Sequence, residues 1–169
     1  MNSISRLLVL SMLMVIFCPV QPCLAQGSED EEQPESADSL DGPEESASLV
    51  DSILNDAVSY LGTPYVEGGT DGSGFDCSGL AYRVFADHGI ILSRTVTGIE
   101  SQGIAVDRDE LRPGDLMIFH NPSHVGIYLG DREFIHCSSY LDRGVVITSI
   151  DHSNYLRRYS SARRIILDQ

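Results

Sequence analysis

From residue 49 onward the apolar positions fall into two textures. Leu49, Ile53, Ala57 and Leu61 recur at four-residue steps, and Val50, Leu54 and Val58 widen the same stripe, which is a helical period. Ser48 is the expected N-cap, with Asp51 placed where the helix dipole favours an acid, and Gly62-Thr63-Pro64 is the stop. Four glycines then fall within residues 68–74, a flexible turn by composition, and no P-loop lysine follows them. A second helix is predicted from Phe75-Asp76-Cys77, with Leu80, Ala81, Val84, Phe85 and His88 along one side and Gly89 closing it. A mixed stretch runs to Glu110, and Arg112-Pro113-Gly114-Asp115 is a turn. Beyond it the pattern shortens to that of strands: Leu116–His120, His124–Leu129, Glu133–Ser138, Gly144–Ser149 and Tyr159–Leu167. Helices first and about five antiparallel strands afterwards predict an α+β domain with the helices on one face of the sheet.

The first 48 residues read differently. Arg6 precedes a nearly continuous apolar run, Leu7–Val20, and Cys23-Leu24-Ala25 ends in a small residue, so residues 1–25 are expected to be a cleaved signal peptide. The run is short for a membrane span, and no span is expected after cleavage. A lipoprotein signal needs small residues before a cysteine, whereas Phe17 precedes Cys18 and Gln21-Pro22 precede Cys23; lipid anchoring is disfavoured. Residues 26–48 hold nine acidic side chains and no basic one, the composition of a disordered, solvated linker. Residues 49–169 are expected to be the folded domain, exported as a monomer to the periplasm or cell envelope. All 11 basic residues of the chain are arginine. Ten of them against sixteen acids leave the domain acidic, which argues against nucleic acid as partner.

Two cysteines remain in the domain, Cys77 and Cys137, and in an exported protein a single disulfide is the plain alternative to chemistry. Cys77 lies in the first turn of a helix, where unpaired N–H groups and the dipole favour a thiolate and could also hold an oxyanion. A thiol nucleophile needs a base, and the base an orienting group. Of five histidines, His124 and His136 lie on consecutive strands of one hairpin. A two-residue turn at Gly130-Asp131 would set His124 opposite Cys137 and turn His136 to the other face. A three-residue loop, Gly130-Asp131-Arg132, sets Leu129 against Glu133 and brings the two histidines diagonally onto one face. The expectation carried forward is the odd-numbered loop, with His124 and His136 toward the Cys77 helix, Cys137 turned away from it, and Cys77 a free thiol. A Cys–His–His zinc site lacks a fourth ligand at motif spacing, and no cofactor is expected.

Taken in order, G-T-P-Y-x-x-G-G, F-D-C-S-G-L, L-x-P-G-D-L-x-x-F, S-H-V-G-I-Y-L-G, F-I-H-x-S-S and R-Y-x-x-A-R-R-I resemble the NlpC-type cell-wall cysteine peptidases from Tyr60 to Ile166. The resemblance implies a circularly rearranged papain-like fold, with Cys77 as nucleophile, His124 as base and His136 orienting it. It also implies that Tyr65, twelve residues before Cys77, assists at the oxyanion. The implied reaction is hydrolysis of peptide bonds in peptidoglycan stem peptides, often between D-glutamate (through its γ-carboxyl) and diaminopimelate and sometimes in the crosslink. Glu67 and Cys137 depart from the residues usual at their positions. A cysteine amidase or acyltransferase of the same fold, or a non-catalytic wall-binding module, are the alternatives.

Overall fold

A computed structural model describes residues 43–120, 123–140 and 144–167. The apolar leader and the acidic segment up to residue 42 lie outside the described residues. Helix α1 (Pro43–Ser59) begins five residues before the expected cap at Ser48. A proline is tolerated in the first turn of a helix, which lets the helix start ahead of the serine. Ser48 is an interior residue whose carbonyl accepts the hydroxyl of Ser52. At the far end the helix stops at Ser59, and Gly62 turns the chain at a φ of 80°. Leu61 is therefore left 45% exposed instead of extending the apolar stripe that Ile53 and Ala57 bury.

The glycine-rich loop, expected as a flexible turn, contains regular structure. It folds into a hairpin of β1 (Thr70–Asp71) and β2 (Gly74–Phe75), with Asp71 Oδ1 accepting from the Ser73 amide at 2.9 Å. Helix α2 (Cys77–Ala86) follows at once, and the His88 Nε2 beyond its end lies 2.8 Å from Asp56 Oδ2, joining it to α1. Three small elements occupy the stretch that carried no prediction: α3 (Val96–Glu100), β3 (Ile104–Val106) and a 3₁₀ turn (Arg108–Glu110). Then come β4 (Leu116–Phe119), β5 (His124–Gly130), β6 (Glu133–Ser138), β7 (Gly144–Ser149), a one-turn helix α4 (Ser153–Leu156) and β8 (Tyr159–Arg164).

The main sheet has the order β3-β8-β4-β5-β6-β7 with antiparallel neighbours throughout, six strands where about five were expected. The extra strand, β3, is a three-residue edge with two exposed residues, and its pairing to β8 is a backbone matter that no apolar pattern announces.

Alternation along the strands creates two buried layers. Leu116, Ile118, Val125, Ile127, Ile135, Cys137 and Val145 pack with Ile53, Leu80, Val84 and Phe85 of α1 and α2. On the opposite face Met117, Phe119, Tyr128, Phe134 and Ile150 form a second cluster, flanked by Tyr155 and Tyr159. Two faces are thus covered, one by long helices and one by α4 and the strand-end aromatics.

The β5–β6 hairpin decides which layer each functional candidate joins. Ile127 pairs with Ile135 and Tyr128 with Phe134, but Gly130 pairs with Glu133, so Leu129 is an extra, bulged residue. The turn is two residues, Asp131-Arg132, both at positive φ (49° and 62°), and not the three-residue loop expected. Upstream of the bulge the register is nevertheless the one that an odd loop gives. His124 and His136 share a face, as expected. That face is the one away from α2, in the layer of Phe119 and Phe134. Cys137, expected to turn away from the Cys77 helix, faces the helices and donates its Sγ–H to the Phe75 carbonyl at 3.0 Å.

Candidate active site

Asp76 starts the site. Its carboxylate caps α2, with Oδ1 accepting from the Gly79 amide at 2.6 Å and Oδ2 accepting from the Gly68 amide at 2.9 Å. Arg94 clamps both oxygens, through Nη1 at 3.0 Å and Nη2 at 2.9 Å, and its carbonyl accepts the hydroxyl of buried Ser78 at 2.8 Å. Burial alone would raise the Asp76 pKa; the hydrogen bonds from Arg94 and Gly79 overcome it and hold the carboxyl below the usual range. A side chain on Gly79 would collide with the Gly69 carbonyl, so the glycine-rich loop and the helix start can close on each other only without a Cβ there. Neither Asp76 nor Arg94 was singled out in the sequence. An acid just before a predicted helix start was the available signal for the first; nothing local announced the second.

Cys77 is the first residue of α2 and is partly exposed, and both Cys77 and Cys137 are free thiols. The backbone N–H groups of Val125, Ser78 and Cys77 itself point at the Cys77 sulfur. The Val125 contact sets the sulfur against the start of β5, one residue from His124. The helix start was expected to lower the thiol pKa. Instead burial pushes it up, the Asp76 charge adds to that, and the N–H groups offset only part. Cys137, deeper and without such donors, is pushed up to about 12 by burial and by the neighbouring Cys77 and Asp76.

Tyr65 bridges to Phe75 in a parallel pair and packs, half-buried, against the helix-side core. Burial raises its pKa, and the charges of Cys77, Asp76 and Glu67 raise it further, so its hydroxyl shares the electrostatic neighbourhood of the thiol.

His124 opens β5, and its Nε2 lies 2.9 Å from Nδ1 of His136. His136 is 1% exposed, stacks on Phe134 at 4.7 Å and turns Nε2 to the Thr148 hydroxyl at 3.0 Å. Gly126 makes that stack possible, because a Cβ at this position would strike the Phe134 ring. Tyr155 of α4 stands edge-on to His136 at 5.0 Å and tilted to His124 at 6.0 Å, with the Arg158 guanidinium 5.7 Å from its own ring. Burial and, after it, the Arg158 charge depress the His124 pKa to about 4. Burial, His124 and Arg158 drive His136 lower still. Both imidazoles are therefore neutral near pH 7. The other histidines serve elsewhere: His88 pairs with Asp56, His120 lies 3.5 Å from Glu100, and His152 caps α4. Tyr155 comes from a segment read only as a connection, and Arg158 entered only as the first residue of the R-Y-x-x-A-R-R-I motif; their role beside the histidines is visible only once α4 folds over the sheet. No group of three His, Cys, Asp or Glu among the described residues is arranged to hold a metal ion.

A thiol on a helix start, beside the first residues of a strand whose histidine is hydrogen-bonded to one on the next strand, is the arrangement of a papain-like cysteine peptidase. The chain matches the NlpC/P60 family over residues 62–164 and belongs to that family of cell-wall peptidases. It is 36% identical over 122 residues to the γ-D-glutamyl-L-lysine dipeptidyl-peptidase of Bacillus cereus, an alignment spanning 69% of this chain and 36% of that protein. It is 34% identical over 146 residues to the murein DD-endopeptidase MepS/murein LD-carboxypeptidase of Escherichia coli K12, spanning 84% of this chain and 77% of the other. Among solved structures, an NlpC/P60 family protein from Bacillus cereus matches with a TM-score of 0.67 at 35% identity, over 70% of this chain and 40% of that one. The α+β, papain-like architecture implied by the sequence motifs is the one observed.

Proposed function

We propose that this chain hydrolyses a peptide bond in peptidoglycan stem peptides, with Cys77 as nucleophile, His124 as general base, His136 orienting it and Tyr65 assisting the oxyanion. The observation that carries the reading is the Val125 amide on the Cys77 sulfur, next to a His124 whose Nε2 is already engaged by His136. Its Nδ1 is the nitrogen left for the thiol.

The raised thiol and depressed imidazole favour a neutral resting pair over a thiolate–imidazolium pair. The Sγ proton then moves to His124 Nδ1 as sulfur attacks the scissile carbonyl carbon. The new oxyanion is held by backbone N–H at the start of α2 and by the Tyr65 hydroxyl. Collapse breaks the C–N bond, and His124 returns the proton to the leaving amine. Water, giving a proton to the same nitrogen, hydrolyses the thioester and frees the thiol.

For the bond, we propose γ-D-glutamyl–diaminopimelate; the name of the Bacillus relative supports the γ-D-glutamyl side and has L-lysine on the other. The Escherichia relative, matched over more of its length, is named for a D,D bond, which makes a crosslink the second reading. Such substrates lie outside the cytoplasm, in keeping with the apolar leader as an export signal and with a periplasmic or envelope location for a monomeric enzyme.

Digestion of purified sacculi followed by mass spectrometry tests both levels. Free γ-D-glutamyl ends opposite free diaminopimelate amines support the first bond; split crosslinks with intact stems support the second. Products cut only between sugars, or only at the lactyl–alanine amide, refute the peptidase reading. C77A should abolish hydrolysis and keep the fold, H124A should be nearly as severe and H136A milder.

A further inference from the structure

His136 is buried with both ring nitrogens engaged, Nδ1 by His124 Nε2 at 2.9 Å and Nε2 by Thr148 Oγ1 at 3.0 Å. A neutral imidazole has one donor and one acceptor, so this chain can run in only two directions. In one, Thr148 Oγ1 accepts from His136 Nε2–H, His136 Nδ1 accepts from His124 Nε2–H, and His124 Nδ1 keeps a bare lone pair. In the other, the Thr148 hydroxyl donates, each proton shifts one place, and His124 Nδ1 carries a hydrogen. The second tautomer cannot take a proton from a thiol, and it would aim one donor at another.

We propose that Thr148 is a positioning residue whose hydroxyl accepts the Nε2 hydrogen of His136 and so fixes the tautomer that leaves His124 Nδ1 free to act as base. Thr148 lies on β7, where it pairs with Phe134, and it reaches His136 diagonally across the strand pair. It is half-buried, so its own hydroxyl hydrogen can turn to solvent while the oxygen keeps accepting. The ring it holds cannot rotate away: Phe134 stacks on it and Tyr155 stands at its edge. His136 and Thr148 move no proton in the cycle; they hold two in place, and only the hydrogen on His124 Nδ1 comes and goes. The proposal rests on the reading of His124 as base.

Thr148→Val keeps the shape and removes the acceptor, and Thr148→Ser restores it. On isolated stem peptides kcat of T148V should fall about tenfold with KM unchanged, and T148S should recover most of that loss. Nitrogen-15 spectra of histidine-labelled full-length protein give a second readout independent of turnover. The His136 resonances should report hydrogen on Nε2 in the unmodified chain and a mixture of tautomers in T148V. Hydrogen on Nδ1 of His136 in the unmodified chain overturns the proposal, even should T148V fail to fold. So does full kcat in T148V beside an inactive H124A, or equal losses in T148V and T148S; in these last two cases the base reading stands. Full activity in H124A overturns the base reading itself.

Discussion

His124 Nε2 and His136 Nδ1 meet at 2.9 Å, with the two rings nearly perpendicular at 87°, on the sheet face that the long helices do not cover. Perpendicular rings cannot slide past each other while that bond holds, so the pair has one geometry to offer. Phe119, Phe134 and Tyr155 enclose it, which is why both groups resist protonation.

That enclosure has a pH signature. A buried histidine with a folded pKa below its unfolded value binds its proton more readily in the unfolded chain, so stability rises with pH across the gap. For His124 the window runs from about 4 to the ordinary 6.5. Unfolding free energy should therefore drop on acidification through this window, on the order of 3 kcal/mol for a shift of this size. Denaturant titrations between pH 7 and 4 measure it. Replacing His124 with glutamine should lessen the slope without abolishing it, because His136 is depressed further and shares the window; an unchanged slope in that variant would assign the loss to other groups. Hydrolysis should keep its acid limb near pH 4, the base being competent only when unprotonated.

Thiol reactivity separates a neutral pair from an ion pair. With the Cys77 pKa raised, iodoacetamide should label it slowly at pH 7 and faster as pH climbs past 9. Cys137, buried and pushed to about 12, should stay unlabelled in the folded protein, giving one adduct within residues 49–169. Fast labelling at pH 7 with a plateau down to pH 5 would mean a standing thiolate and would sink the neutral resting state.

How the sequence foretold this site is uneven. The hairpin register upstream of the bulge and the shared face of His124 and His136 were legible, because side chains alternate strictly along strands. Which face the helices would take was not. On β6 the two alternating sets are Phe134 with His136 and Ile135 with Cys137, both buried, so no polar side marks the outside. Strands β6 and β7 were read with their observed bounds, since turn residues bracket them. Helix α4 and strand β3 were missed, being too short for a period to show. The thiol pKa was misjudged because a helix start is visible in sequence and burial is not.

Asp76 and Arg94 should matter to stability before they matter to chemistry. Asp76→Ala removes the cap of α2, the acceptor for Gly68 and the partner of Arg94 in one step. The cost should be about 2 kcal/mol, discounted because Arg94 is about a third exposed and can still reach water. Chemical denaturation with an unchanged m-value is the check. Asp76→Asn, which keeps one acceptor oxygen, should lie between the two; a loss equal to that of alanine would show that charge alone matters.

The early start of α1 separates two truncations. Deleting residues 26–42 should leave the domain's melting temperature unchanged, as the composition of that segment predicts. Deleting through residue 47 removes the first turn of α1 and should lower it by several degrees. Equal melting temperatures for the two would show that this turn contributes nothing to the fold.

Leu129 leaves a different kind of mark. Without the bulge, the Gly130–Glu133 pairing would continue up the strands and set Ile127 against His136, carrying that ring into the helix-side core and away from His124. One surplus residue acts as a parity switch: it is the count of peptide units between positions 124 and 136, odd or even, that decides whether the pair assembles. The side chain at 129, half-buried against the helix-side core, can be exchanged for another apolar one at modest cost, while the length of this short segment cannot change. A change of composition there alters packing by degrees, but a single insertion or deletion rewrites the address of every residue beyond it.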